Sequence, residues 1–348
     1  MHTAPVATTP RGTVSVTPFR YLSTFSGIEA ASVAWEPLGW KPVGFSEVAP
    51  FPSAVLAARF PHVPNLGDIT LHKHWPELGH IDLICGGSPC QAFSVAGLRR
   101  GLQDPRGQLA LTFLSLVDRL RPQWVVWENV ANALQTNNGR DFGALVGALG
   151  KLGYGFAYRV LDASQFGVAQ RRRRVFLVAN ARDWRLAASV LFEPEGGSGH
   201  PAKVRPEGLS PVDRLAGCVD EGCFWNGEQV TQTLDAVLAK AQTMPEKSRF
   251  PAVLVPDQAG GLRIRFLTVL ECERLQGLPD DWTLIPYRGR VAPKTERLRA
   301  IGNSMATPVM RWIGERINDV HLAQSQVYDP TERYDQPPFR FGASSRRD

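Results

Sequence analysis

Hydrophobic and polar positions alternate along most of the chain with two periods, one typical of strands and one typical of helices. Short apolar runs predict strands at RYLSTF, KPVGFSE, IDLIC, QWVVWE, AYRVLDA and RRVFLVA. Helical periodicity predicts helices between them, at EAASVAWEPL, FPSAVLAARF, GQLALTFLSLVDRL and DFGALVGALGKLG. Because strands alternate with helices, the sequence predicts an α/β fold with a doubly wound, mostly parallel sheet and helices on both faces.

The alternation breaks after about Asp183, where EPEGGSGHPAKVRPEG is rich in glycine and proline and predicts a loop or linker. Regular periodicity returns at RIRFLTVLECERLQG, and an amphipathic helix is predicted from Arg311. The chain is therefore divided into a mobile N-terminus over 1–18, a main domain over 19–185, a small region over 186–262, a return to the main domain over 263–327, and a polar tail over 328–348.

The composition, with 43% apolar residues in a chain of 348, is that of a globular protein. No apolar run is long enough to span a membrane and no signal pattern opens the chain, so a cytoplasmic location is expected. Five cysteines without regular spacing indicate a reducing compartment. No metal is expected, because the pair Cys218 and Cys223 lacks a second ligand pair. Cys85 is predicted in the core and Cys272 on a helix surface.

The net charge of +6 and the sequence pI of about 9.2 suit a polyanionic partner. Basic residues cluster in QRRRR, from Gln170, and again between Arg288 and Arg299. Two such runs fit contacts with a phosphate backbone, while solvated surface charge is the alternative interpretation of each run.

The turn TFSGIEAA joins the first strand to the first helix, where α/β sheets bind nucleotides. Glu47 ends the next strand 20 residues after Gly27, the offset at which a carboxylate can bind a ribose. Glu29 stands where a second glycine would admit a pyrophosphate, and its charge is expected to repel one. The turn therefore favours a nucleoside cofactor without phosphates, such as S-adenosylmethionine, over NAD or FAD. An ordinary strand–helix turn with a surface glutamate is the alternative interpretation. Asp68 is either a further cofactor contact or a helix cap.

The segment GGSPCQAFSVAG follows the strand IDLIC and places Cys90 directly after a proline. Glycines allow a sharp turn and a close approach, and proline stiffens the loop. Such a loop would aim a thiol at the carboxyl edge of the sheet. A catalytic thiol also needs an activating environment, since a free cysteine is mostly protonated near neutral pH.

Two further predicted strands place candidate catalytic side chains at that edge. QWVVWENV places Glu128 after an apolar run, where burial would raise its pKa, although a helix-cap acid is the alternative. In QRRRRVF, alternation puts Gln170, Arg172 and Arg174 on one face. A thiolate, a carboxylic acid and a guanidinium beside a methyl donor suit addition of sulfur to C6 of cytosine, methylation at C5, and loss of the C5 proton and the sulfur.

These motifs, in this order, resemble those of the DNA (cytosine-5)-methyltransferases, especially single-chain prokaryotic and phage enzymes. The set consists of FSG, Glu47, GGSPCQAFSVAG, ENV, QRRRR, RFLTVLECERLQGLPDD and GNSMATPV. The resemblance covers residues 20–182 and 263–315. The chain departs from it at Glu29-Ala30, where the family has two glycines, and in a short region before RFLT, where the family places target recognition.

The resemblance implies a Rossmann-like, S-adenosylmethionine-dependent enzyme with site residues in three groups. The catalytic group is Cys90, Glu128, Arg172 and Arg174. The cofactor group is Phe25, Ser26, Gly27, Ile28, Glu47, Val48, Asp68, Ile69, Pro89, Leu109, Asn303 and Ser304. The DNA group is Gln91, Ser94, Arg99 and Gln170.

The implied substrate is a cytosine flipped out of double-stranded DNA by a monomeric enzyme, with region 186–262 recognising a short sequence. A cognate restriction endonuclease as partner is left open. Two alternatives stay open as well: an RNA cytosine methyltransferase on the same scaffold, and a catalytically silent DNA-binding homologue.

Overall fold

The computed structural model describes residues 18–88, 108–192, 234, 252–256 and 262–327. The predicted mobile N-terminus up to residue 17, the polar tail, and most of region 186–262 with Cys218 and Cys223 lie outside these residues. Six strands form the main sheet: β1 (Arg20–Thr24), β2 (Lys41–Ser46), β3 (Leu83–Gly86), β4 (Trp124–Val130), β5 (Gly155–Asp162) and β6 (Arg173–Asn180). The helices between and after them are α1 (Ala30–Trp35), α2 (Pro50–Arg59), α3 (Gln108–Leu120), α4 (Arg140–Lys151) and α5 (Trp184–Leu191).

The second part of the chain adds smaller elements around this sheet. Strands β7 (Ala252–Pro256) and β8 (Leu262–Phe266) form an antiparallel pair. They are followed by α6 (Val269–Leu275), the short hairpin β9 (Pro286–Tyr287) and β10 (Arg290–Val291), α7 (Lys294–Asn303) and α8 (Thr307–Val327). Helix α6 begins with a capping box, in which Thr268 and Glu271 satisfy each other's backbone N–H groups.

The strand order of the main sheet is β2-β1-β3-β4-β6-β5. Strands β1 to β4 are parallel, and β6 runs antiparallel to both β4 and β5. The predicted α/β fold with a mostly parallel sheet is therefore confirmed. As a result, the carboxyl ends of β1 to β4 and the start of β6 lie at one edge of the sheet, called here the carboxyl edge.

Apolar side chains bury both faces of the sheet, because alternate residues along a strand point in opposite directions. Tyr21 and Trp124 lie in the cluster that α1, α5 and α8 cover. Their neighbours Leu22 and Val125 lie in the cluster that α3 and α4 cover. Both clusters contain fully buried tryptophans, so each face has a substantial apolar core.

Helix α8 covers part of one face of the sheet, although it lies far along the chain from the first strands of that sheet. The indole of Trp35 donates a hydrogen bond to the Met310 carbonyl at 2.7 Å. A Cβ atom added at Gly314 would lie 2.4 Å from the same indole nitrogen, so only glycine permits this contact. Arg316 donates to the carbonyls of Val190 and Phe192, at 2.5 and 2.8 Å, and thereby caps the carboxyl end of α5.

The predicted strands and helices that fall on described residues are present, with ends that differ by a few residues. Cys85 is buried in the core as predicted. The prediction for Cys272 is wrong: its side chain is 1% exposed and packs in the cluster around α6, where burial raises its pKa to about 12. Within the described ranges, no helix is both long and apolar enough to cross a membrane.

Candidate active site

The carboxyl edge brings together chain segments that are distant in sequence. Thr24 pairs with Gly86, which in turn pairs with Trp127 just before Glu128. Arg174 lies at the start of β6, opposite Val130 of β4. The parallel order of the strands thus places the predicted cofactor turn, the end of β3 and the predicted acid beside one another.

Two glycines at the end of β3 allow this close approach. A Cβ atom added at Gly86 would lie 2.1 Å from the Thr24 hydroxyl oxygen and 2.8 Å from the Thr24 carbonyl oxygen. A Cβ atom added at Gly87 would lie 2.9 Å from Oε2 of Glu128. Side chains at either position would displace β1 or the Glu128 carboxyl group, which explains the GG pair physically.

Strand β4 also holds the residue that follows these glycines. The Asn129 amide donates to the Ser88 carbonyl at 2.8 Å, and the Trp127 indole donates to the Ser88 hydroxyl at 3.2 Å. The chain is therefore fixed to β4 at Ser88. Pro89 and the predicted nucleophile Cys90 come next in sequence and lie outside the described residues, as do Gln91, Ser94 and Arg99.

Glu128 forms an ion pair with Arg174, with 3.3 Å between Oε1 and Nε. Both side chains are largely withdrawn from solvent, at 12% and 14% exposure. Burial raises the pKa of Glu128, and the charges of Arg174 and Arg172 oppose that rise without cancelling it. The predicted direction of the shift thus agrees with the structure, and the carboxyl group can hold a proton at higher pH than an exposed glutamate.

The burial of the side chains in QRRRR alternates along the chain as predicted. Gln170 and Arg172 are buried, Arg174 is partly buried, and Arg171 and Arg173 are exposed. The three residues of the inward face nevertheless bind different groups, and Arg174 is the one that forms the ion pair with Glu128 described above.

Arg172 instead binds main-chain oxygens. Its guanidinium donates to the carbonyls of Leu234, Gly302 and Ser304, at 2.6, 3.2 and 2.7 Å. Gln170 is 0% exposed and its amide bonds to Leu234, Leu275 and Gln276. In this arrangement no part of the Gln170 side chain reaches the surface of the described residues.

The predicted cofactor turn is held by Glu47. Oε2 of Glu47 accepts the Gly27 N–H at 2.8 Å, and Oε1 accepts the Ala49 N–H at 2.7 Å. Phe25 and Gly27 both have positive φ, of 50° and 57°, so the turn is tightly wound. The carboxylate therefore joins the loops after β1 and β2.

Glu29 occupies the turn differently from the prediction. It has a left-handed backbone with φ of 63°, and its side chain turns inward to cap α1. Oε1 accepts hydrogen bonds from both the N–H and the hydroxyl of Ser32, each at 3.0 Å. Glu29 is 1% exposed, and burial raises its pKa to about 7. The expectation that Glu29 repels a phosphate is therefore wrong, because its carboxyl group faces the interior.

The substitution Glu29→Gln should make stability less dependent on pH. The raised pKa means that the folded state prefers the neutral acid. The contribution of Glu29 to the free energy of unfolding is complete below pH 4.5 and is lost as the pH rises through about 7. A shift of the Glu29 pKa from 4.5 to about 7 corresponds to a change of about 3 kcal/mol in the free energy of unfolding. Chemical denaturation between pH 5 and 9 should show falling wild-type stability and a flatter profile for Glu29→Gln; equal slopes would contradict the assignment.

The other predicted cofactor residues differ in accessibility. Ser26 donates to the Ser23 carbonyl at 2.9 Å, and Asp68 caps the 3-10 helix Ile69–His74 through the Thr70 N–H at 2.8 Å. Ile28 and Ile69 are buried in the apolar clusters, Leu109 is partly buried, and Ser304 is buried. Val48 and Asn303 are exposed, and Val48 is 67% exposed although it is apolar.

Sequence patterns did not reveal several residues that build this edge. Asn129 and Ser88 lock β3 to β4, and Trp282 donates to the Ile28 carbonyl at 2.8 Å. Gln276 donates to the Ser304 carbonyl at 2.9 Å. These contacts join positions far apart in sequence through main-chain atoms, so no local spacing signals them.

The fold resembles that of solved methyltransferase structures. The crystal structure of S. pombe Dnmt2 methyltransferase matches with a TM-score of 0.64 at 16% identity, covering 89% of this chain and 100% of that one. At this identity the match shows a shared methyltransferase fold. The family model described as C-5 cytosine-specific DNA methylase matches residues 19–211 and 213–319. The chain belongs to the C-5 cytosine-specific DNA methylase family, which confirms the predicted family.

Two relatives show how far the similarity extends. The type II methyltransferase M2.BsuMI of Bacillus subtilis is 32% identical, over 86% of this chain and 75% of its own length. A protein of Escherichia phage P1 named DNA N-6-adenine-methyltransferase is 32% identical over 93% of this chain. The chain spans 64% of the length of that phage protein.

Proposed function

We propose that this protein transfers a methyl group from S-adenosylmethionine to C5 of a cytosine flipped out of double-stranded DNA. The main observation is the buried Glu128–Arg174 pair, 3.3 Å apart, placed against Gly87 on the strand end that leads to Cys90. Family membership supports the choice of cytosine and of DNA.

Each group of the proposed site has a separate task. The Cys90 thiolate adds to C6 of the cytosine, and Glu128 donates a proton at N3 as electrons move into the ring. This makes C5 nucleophilic enough to take the methyl group. Loss of the C5 proton to solvent then restores the C5–C6 double bond and expels the sulfur as the Cys90 thiolate, and the N3 proton returns to Glu128. Arg174 positions the Glu128 carboxyl group, and burial keeps that group protonated over a wider pH range.

The residues at the turn after β1 fit an adenosine-containing cofactor. Each Glu47 carboxylate oxygen accepts one backbone N–H and has a second lone pair for a ribose hydroxyl. The exposed Val48 side chain offers an apolar surface for a flat ring. S-adenosylmethionine, when bound, supplies an electrophilic methyl group. The inward Glu29 no longer distinguishes between cofactors with and without phosphates, so this assignment depends on Glu47, Val48 and the family.

Target recognition is assigned to region 186–262, named here the recognition region, which the chain inserts between the two parts of the main domain. The basic face at Arg171 and Arg173 is exposed and suits phosphate contacts. Gln91, Ser94 and Arg99 are proposed as DNA contacts on the loop after Cys90. The enzyme is proposed to act as a monomer in the cytoplasm, and a cognate endonuclease would need to share its target sequence.

The name of the phage P1 relative makes adenine methylation a second candidate. An exocyclic amine attacks a methyl group without a thiol nucleophile, so an adenine enzyme would not need Cys90. The chain's match to the cytosine-specific family favours the first candidate.

Digestion of DNA methylated by the purified protein should separate the two candidates. We expect 5-methylcytosine by mass spectrometry, and bisulfite sequencing should place it in one short sequence. N6-methyladenine alone, or transfer to transfer RNA and not to duplex DNA, would contradict the proposal.

A further inference from the structure

Leu234 is held at both polar atoms of its main chain by side chains that precede β6. Its N–H donates to Oε1 of Gln170 at 3.0 Å, and its carbonyl accepts from Arg172 at 2.6 Å. The Leu234 side chain is 0% exposed and packs in a cluster with Ala169 and Leu275. Leu234 belongs to the recognition region, so these contacts attach that region to the main domain.

The same two side chains continue into the rest of the site. Nε2 of Gln170 donates to Oε1 of Gln276 at 2.7 Å, and Gln276 donates to the Ser304 carbonyl at 2.9 Å. Arg172 also donates to the Ser304 carbonyl, at 2.7 Å. One buried network therefore connects Leu234 with a residue of the proposed cofactor group.

The third inward residue of this segment connects the network to the proposed chemistry. Arg174 lies two positions after Arg172, and it holds Glu128. Residues two apart in an extended segment share a face, so Arg172 and Arg174 lie on the same side of the chain that enters β6. Gln170 and Arg172 form hydrogen bonds only with main-chain atoms of Leu234. These bonds fix the position of Leu234 and cannot distinguish one base sequence from another.

We propose that Gln170 and Arg172 are positioning residues that clamp the Leu234 main chain and so set the recognition region relative to Glu128 and Ser304. This Leu234 clamp rests on the proposed function and refines it. It reassigns Arg172 from direct contact with the reacting base, and Gln170 from DNA contact, to the placement of the DNA-binding region. Burial of a guanidinium and an amide costs free energy unless protein acceptors and donors replace water, and the clamp supplies such partners to both side chains.

Hydrogen exchange of the full-length chain tests the clamp without any activity. In Gln170→Met the Leu234 amide loses its acceptor, and peptides containing it should exchange about fivefold to tenfold faster, as expected for one lost hydrogen bond. Peptides from β4 should be unchanged. Arg172→Lys keeps the positive charge but loses the planar guanidinium with its several N–H donors, and it should give the same pattern of exchange.

Asn180→Ala is the matched control, because Asn180 is also a buried amide of β6 that binds main-chain N–H groups. Its Oδ1 accepts from Arg182 at 2.8 Å and from Asp183 at 3.2 Å, at the opposite end of the strand. This variant should accelerate exchange at 182–183 and leave 234 unchanged. Unchanged exchange at 234 in Gln170→Met, or equal acceleration throughout the chain in both clamp variants, would overturn the proposal.

Steady-state kinetics distinguish residues that position the recognition region from residues that take part in the reaction. Arg172→Lys and Gln170→Met should raise the KM for DNA about tenfold, with kcat within about twofold and an unchanged pH profile of kcat. A fall in kcat at constant KM would return Arg172 to the reacting base and overturn the clamp. If the wild-type protein does not methylate cytosine, the proposed function fails while the exchange result still decides the clamp.

Discussion

Cys90→Ser should lower methyl transfer by at least about a thousandfold, because a serine hydroxyl is not ionised near neutral pH and adds poorly to C6. DNA binding should survive, since the change only replaces one sulfur atom by oxygen. Transfer of labelled methyl groups measures the first quantity, and fluorescence anisotropy with duplex DNA measures the second. Near-normal turnover would show that sulfur does not form the bond to the base.

Cys272→Ala provides the matched control for the loss of a thiol. Cys272 is buried in the α6 cluster, and its raised pKa, about 12, keeps it protonated and inert. Its removal should cost some stability but leave the rate per folded molecule close to that of the wild type. A covalent adduct with DNA containing 5-fluorocytosine should form in this control and be absent in Cys90→Ser.

Glu128→Gln should lower kcat by about a hundredfold to ten-thousandfold, the range typical of a lost general acid. The amide keeps the shape of the side chain and can donate a hydrogen bond, but it cannot transfer a proton to N3. Affinity for S-adenosylmethionine, measured by calorimetry, should be unchanged. A large loss of cofactor affinity with normal kcat would place Glu128 in the cofactor site instead.

The pH dependence of kcat gives Glu128 a signature of its own. In the proposed mechanism the protonated acid is the active form, so wild-type kcat should fall as the pH rises through the pKa of Glu128, which burial raises. Glu128→Gln should lack this alkaline limb. Glu315→Gln, on the exposed surface of α8, should keep both the rate and the limb.

The sequence predicted those parts of the site that follow from strand direction. Cys90, Glu128 and Glu47 each come after an apolar run, and parallel strands bring their carboxyl ends to one edge. The convergence of the β3 end, Glu128 and the cofactor turn therefore follows from the order of strands and helices along the chain. The GG pair was also interpretable, because a strand end with two glycines implies a close approach.

The directions of individual side chains could not be predicted in the same way. Alternation placed Arg172 and Arg174 on one face, but only the three-dimensional positions of Leu234 and Ser304 decide that Arg172 donates to their carbonyl oxygens. Glu29 turns inward because its left-handed backbone brings the carboxyl group under the first turn of α1. Cys272 is buried because α6 is covered by chain segments that no local pattern reveals.

The late position of α8 has a consequence for synthesis of the protein. Trp35 is made early but reaches its hydrogen-bond partner only when Met310 has emerged, 275 residues later. Until then the ribosome-bound chain carries an uncovered tryptophan-rich surface on one side of its sheet. A nascent fragment that stops before Thr307 should therefore depend on chaperones to keep this surface from aggregating.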